Sequence, residues 1–189
     1  MARKLNTGAP SSATKGMFWK PEPGATNVKV LVEADEIISG YQFADWSVNP
    51  APIWVAVEND PGYELGLKPR YRAFIPISVE VDGTKEVRLW PVSKQMHANI
   101  ADIGMAYGKL AGQILSIRRS GTGLETRYTV IPLGKQEKVS EILPTFEEIA
   151  ELLGPEDVGG VKALLMDRHG ASKWEDVVAH YKSDDVETL

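Results

Sequence analysis

Arginines and aromatic rings alternate along the β-prone stretches of this chain. In Arg70–Val81, one parity carries Arg70, Arg72 and Phe74, and in the following Glu86–Trp90 one parity carries Arg88 and Trp90. Side chains alternate between the two faces of a strand, so these residues are expected to share one outer surface. Lys68 and Lys94 stand at the ends of the two strands. A later hairpin adds Arg118, Arg119, Arg127 and Tyr128. Trp19 and Lys20 form a further ring–cation pair near the start. Tyr71 has the opposite parity, that of the core, and joins the set only if the sheet curves there. Cations of this kind follow phosphates, and rings stack on unpaired bases at about 1–3 kcal/mol per base. Arginine suits such a surface because its planar fork both bonds phosphate and stacks. Burial of Phe74 and Trp90 beneath the N-terminal segment or the C-terminal helices is the competing expectation. It would leave the arginines as a solvated face.

Other chemistries find little material. Cysteine is absent, which excludes disulfides, thiolate metal sites and thiol nucleophiles. The three histidines, His97, His169 and His180, form no spaced ligand set. No Ser-His-Asp pattern is evident, and Asp102 near His97 reads as a surface charge. Ser120-Gly121-Thr122-Gly123 lacks the Lys-Ser/Thr of a phosphate-binding loop. We therefore expect no catalysis, no metal and no cofactor.

The elements that must position these residues are mostly strands. Val28–Val32, Tyr41–Val48, Ile53–Val57, Arg70–Val81, Glu86–Trp90, Gln113–Arg118 and Thr126–Ile131 have strand character. Asp82-Gly83 marks a hairpin turn. Ser93 reads as the N-cap of a mid-chain helix with Met96, Ile100 and Ile103 on one face and Gly104 or Gly108 near its end. After Gly134 the pattern turns helical. Capping boxes begin at Thr145 and Ser172, and a further helix spans Pro155–Arg168. This order predicts a mainly β fold: a five-stranded oligonucleotide-binding (OB) barrel with a mid-chain helix, followed by a small α-helical region. An open β-sandwich is the alternative. The predicted division is a flexible arm at 1–16, a binding domain at 17–135 and an acidic helical region at 136–189.

The net charge of −5 hides an uneven distribution. Residues 1–135 hold 16 Lys and Arg against 13 Asp and Glu, and residues 136–189 hold 5 against 13. A basic body with an acidic end suits a nucleic-acid binder better than the total does. The absence of a long apolar run or an apolar leader predicts a cytoplasmic protein.

Three stretches together resemble the single-stranded-DNA-binding (helix-destabilising) proteins of T-even-like phages. They are Phe18-Trp19-Lys20-Pro21-Glu22-Pro23-Gly24 leading to Leu31; Lys68-Pro69-Arg70-Tyr71-Arg72 leading to Arg88-Leu89-Trp90; and Ile117-Arg118-Arg119-Ser120-Gly121-Thr122-Gly123 running on to Val130. The likeness covers about residues 17–133. It implies an OB fold, sequence-tolerant binding of single-stranded DNA in replication, recombination and repair, and an acidic C-terminal region that contacts partner proteins. Many such relatives carry a Cys/His zinc subdomain between strands. Here Glu58–Leu67 has neither residue, so that loop must hold its shape by packing. The basic cooperativity segment is reduced to Arg3, Lys4 and Lys15. A non-enzymatic interaction module or virion component, with an incidental basic face, is the second functional expectation.

Overall fold

The structure, a computed structural model, describes residues 17–145, 148–149 and 152–184. The expected arm at 1–16 with Arg3, Lys4 and Lys15, the middle of the Thr145 capping box and the acidic end from Asp185 lie outside the described residues. Within them the chain is mainly β, with seven antiparallel strands and a few helices. It divides into two compact units. The first joins Met1–Ser39 to Arg72–Pro144, and the second joins Gly40–Tyr71 to Thr145–Leu189. In this division the segment 40–71 groups with the helical end, and the first unit runs on to Pro144.

Five strands build the first unit: β1 (Gly24–Val30), β4 (Arg70–Val81, from Arg72), β5 (Thr84–Val92), β6 (Gln113–Ser120) and β7 (Arg127–Gln136). Their order is β5-β4-β1-β6-β7, and every neighbouring pair is antiparallel. Asp82 and Gly83 have φ of 49° and 80°, the left-handed pair that a two-residue hairpin turn needs. That turn sets Val81 opposite Thr84 and, further along, Ile75 opposite Trp90. One sheet face carries Val28, Val30, Ile75, Ile77, Val79, Leu115 and Ile117, all buried and all apolar.

Helix α2 (Lys94–Tyr107) connects β5 to β6. Ser93 caps it by accepting from the Met96 N–H, and Gly108 ends it at φ 73°. Its Ile100 is buried. The 137–141 segment is held to this unit. The Glu137 N–H donates to the Gly112 carbonyl, at a place where a side chain on Gly112 would collide with the Glu137 backbone. Lys29, buried on the second sheet face, lies 2.7 Å from Glu141 and 3.8 Å from Glu137, and donates to the Lys138 carbonyl. Burial pushes the Glu141 carboxyl up. The Lys29 ammonium and the Ser140 and Glu141 backbone N–H groups outweigh it and bring the carboxyl down to about 2.

The second unit contains β2 (Ile38–Ala44, from Gly40), β3 (Ile53–Val55), the short α1 (Pro61–Glu64), α3 (Val158–His169) and α4 (Trp174–Asp184). Phe43, Trp54, Leu65, Val161, Leu165 and Val177 form its core. Phe43 and Trp54 face each other across β2 and β3 with rings stacked 5.5 Å apart. The Glu58–Leu67 loop is organised by Asp60, whose carboxylate accepts from Trp54 Nε1, the Val57 N–H and the Gly62 N–H. Helix α3 starts three residues later than expected because Asp157 caps it, accepting from the Gly160 N–H at 2.7 Å. At the Thr145 capping box the Thr145 N–H donates to Glu148 and the Glu148 N–H to the Thr145 hydroxyl.

Among the described residues no helix is long and apolar enough to cross a membrane.

Candidate nucleic-acid interface

The first unit contains a groove of about 350 Å³ along the outer edge of β5. The chain entering the fold forms one wall. Phe18 makes a parallel bridge to Leu89, and the Trp19 N–H donates to the Leu89 carbonyl at 2.8 Å. These contacts use part of the β5 edge and lay Trp19 across Trp90, rings 5.8 Å apart and edge-on. Trp90 and Val92 line the groove floor, and Ser93 and Met96 at the start of α2 line one end. Arg72 from β4 and Tyr128 from β7 complete the lining, with Lys20 exposed at the rim.

Five residues singled out from sequence therefore converge here: Trp19, Lys20, Arg72, Trp90 and Tyr128. Arg119 lies beside the groove. It faces Tyr128 across the β6–β7 ladder and donates to the Pro21 carbonyl at 3.2 Å. Among the described residues no carboxylate lines the groove. Two cations and two rings in one groove suit an anionic ligand with flat apolar parts.

The other candidates are arranged differently from expectation. Phe74 and Trp90 do not share an outer surface. Phe74 pairs with Pro91, whereas Trp90 pairs with Ile75, so the two rings occupy opposite faces. Both are buried, at 2% and 3% exposure. Phe18 covers Phe74 at a ring distance of 5.9 Å. Phe74 is thus a core residue, and Trp90 is a groove floor rather than an open platform. Arg88 is ion-paired with Glu86 on its own strand. Arg118 and Arg127 are exposed on the face of the β6–β7 hairpin opposite Tyr128. Lys94 is exposed in the first turn of α2. Lys68 and Arg70, both exposed, belong to the second unit with Tyr71, whose ring meets Tyr41 edge-on at 6.0 Å.

Of the two covers expected for Phe74 and Trp90, the N-terminal segment is the one present; sequence reasoning did not single out Phe18 and Pro21 within it, nor Met96 and Ser93 as groove lining. A usable signal existed for part of this. A two-residue turn at Asp82-Gly83 forces odd positions of β4 against even positions of β5, which already separates Phe74 from Trp90.

The second unit holds a buried polar cluster. Asp45 lies 2.7 Å from His169 Nε2, and Ser47 donates to Asp45 through both its N–H and its hydroxyl. The Ser47 hydroxyl is also 3.2 Å from the Tyr181 hydroxyl. Burial raises the Asp45 carboxyl, but the hydrogen bonds from Ser47, Tyr181 and His169 bring it below its ordinary value. The carboxylate sits between the serine and the histidine. A nucleophilic relay needs the imidazole in that place, so this arrangement ties the unit together and does not activate Ser47. Among the described residues no group of three or more His, Asp or Glu side chains is placed to hold a metal ion.

No protein-family model, no curated protein and no solved structure matches this chain.

Proposed function

We propose that the first unit is an OB-type barrel that binds single-stranded DNA without sequence preference, as a non-catalytic protein of replication, recombination or repair. Renumbering its strands in chain order gives 3-2-1-4-5 with a helix between the third and fourth, the connectivity of the OB class. The observation that carries the reading is the groove in which Trp19 and Tyr128 stand beside Lys20 and Arg72. The rings offer stacking surfaces, and the cations follow the backbone. Arg119 holds Pro21, and through it the Trp19 segment, against the β6–β7 hairpin.

The test is a fluorescence titration of the whole chain with an oligo-dT strand of about 30 nucleotides, long enough to span one such site, at low and high salt. Quenching of tryptophan emission, with affinity falling steeply as salt rises, supports the reading. Silence at low salt, with duplex DNA and RNA silent as well, removes it.

A second reading is a protein-interaction or virion structural module. The burial of Phe74 and Trp90 beneath Phe18 and Trp19 favours it, because covered rings stack on nothing else. In that case the titration is silent, and substitutions at Trp19 affect stability alone.

A further inference from the structure

The chain has five tryptophans, and four are at least partly covered: Trp54 and Trp90 are buried, Trp19 and Trp174 half-buried. Trp46 is 75% exposed. An indole left in water on a mobile loop would be unremarkable, but the backbone around Trp46 is tied on both sides. The Asp45 N–H donates to the Pro52 carbonyl, closing the loop. The buried Asp45 carboxylate is fixed by His169 of α3 and by Ser47, and Ser47 reaches Tyr181 of α4. Trp46 therefore projects from between two anchored residues. Ile53 of β3, 45% exposed, stands at the other end of the loop and pairs with Ala44 of β2.

A pre-positioned aromatic ring loses little conformational freedom on binding, and tryptophan is over-represented among residues that dominate protein interfaces. Charge decides the class of partner. The loop from Trp46 to Val57 has no ionisable side chain, and the unit that carries it holds 6 Lys and Arg against 15 Asp and Glu, a net of −9. A polyanion approaching this unit is repelled, whereas a cationic surface is drawn in.

We propose that Trp46 anchors a docking surface for a protein partner that offers an apolar pocket on a basic face. The surface is separate from the groove of the first unit, and the inference does not depend on DNA binding there.

The experiment compares the full chain with Trp46→Ala, whose exposed site leaves the core intact. Three probes are titrated: a short peptide alternating lysine with leucine, an oligolysine of equal charge, and oligo-dT. The expected result is a loss of at least about tenfold in affinity for the lysine–leucine peptide, with oligolysine and oligo-dT unchanged. Equal binding of that peptide by both proteins, or no binding by either at low salt, overturns the proposal. Weakened oligo-dT binding overturns it by making Trp46 a base platform. Sedimentation that reveals self-association abolished by Trp46→Ala overturns it by making a second copy of the chain the occupant.

Discussion

Trp90 pairs with Ile75 across the β4–β5 hairpin, and this one register places its indole on the face opposite Phe74. The consequence is a division of labour among the aromatics. Trp90 floors the groove under Trp19, whereas Phe74 packs beneath Phe18. Substitutions should separate the two. Trp19→Ala and Tyr128→Ala are expected to weaken oligo-dT binding by about 1–3 kcal/mol each, close to the worth of one stacked base. Phe74→Ala should leave affinity per folded molecule unchanged and lower stability by about 3–5 kcal/mol. Titration and urea denaturation of the same three variants check this.

The cations should divide in the same way. Lys20→Gln and Arg72→Gln are expected to reduce the slope of log affinity against log salt by about 1 each. Arg88→Gln should leave the slope unchanged, because Arg88 does not line the groove. Titrations at several salt concentrations read the slopes.

The Lys29–Glu141 pair predicts a pH signature in the first unit. The folded Glu141 carboxyl lies near 2, below the ordinary 4.5, so the charged form is favoured by folding. Its contribution is complete above about pH 4.5 and is lost as pH falls towards 2. Glu141→Gln should cost about 1–3 kcal/mol at neutral pH, the scale of leaving a buried charged group under-satisfied. The difference from the unaltered chain should vanish near pH 2. Urea midpoints measured from pH 2 to 7 test both statements.

Asp45 carries the same sign in the second unit. Its carboxyl is held below its ordinary value of 3.8, so the stability it supplies is present above that value and fades as pH falls below it. Asp45→Ala leaves His169 and Ser47 without their shared partner. The expected cost is about 1–3 kcal/mol at neutral pH, the scale of leaving hydrogen-bonding groups unsatisfied. The melting of the second unit, followed by near-ultraviolet circular dichroism of Trp54, is the measurement.

Truncation gives a test of the domain division. Removing the residues after Pro144 strips α3 and α4, and with them Val161, Leu165 and Val177, from Phe43 and Trp54. The shortened chain should expose that core and bind a hydrophobic dye such as ANS. Removing the residues after Gln136 should in addition destabilise the first unit, because Glu137, Lys138 and Glu141 all contact it. Comparing the two truncations by urea denaturation distinguishes the effects.

Much was legible from local sequence. Strand alternation, the Asp82-Gly83 turn, the Ser93 cap with Gly108 and the Thr145 capping box all depend on neighbours within a few residues, and all are present. These features settled the mainly β character and the mid-chain helix. Charge asymmetry was also visible. The first unit holds 15 Lys and Arg against 11 Asp and Glu, net +4, and the second is net −9, because the acidic segment 40–71 folds with the acidic helices. Nothing in the linear order announces that partnership. It arises because the apolar Phe43–Trp54 face needs cover, and α3 and α4 supply it.

The sequence by itself determined which residues were cationic, which were aromatic and which stretches were strands, since these follow from side-chain type and short-range periodicity. Only the tertiary structure decided which rings were covered, which arginines were already paired and which five residues met in one groove. Those outcomes depend on strand register and on where the Phe18–Pro21 segment packs. Both are fixed by contacts between residues far apart in the chain, Trp19 with Leu89 and Arg119 with Pro21 among them.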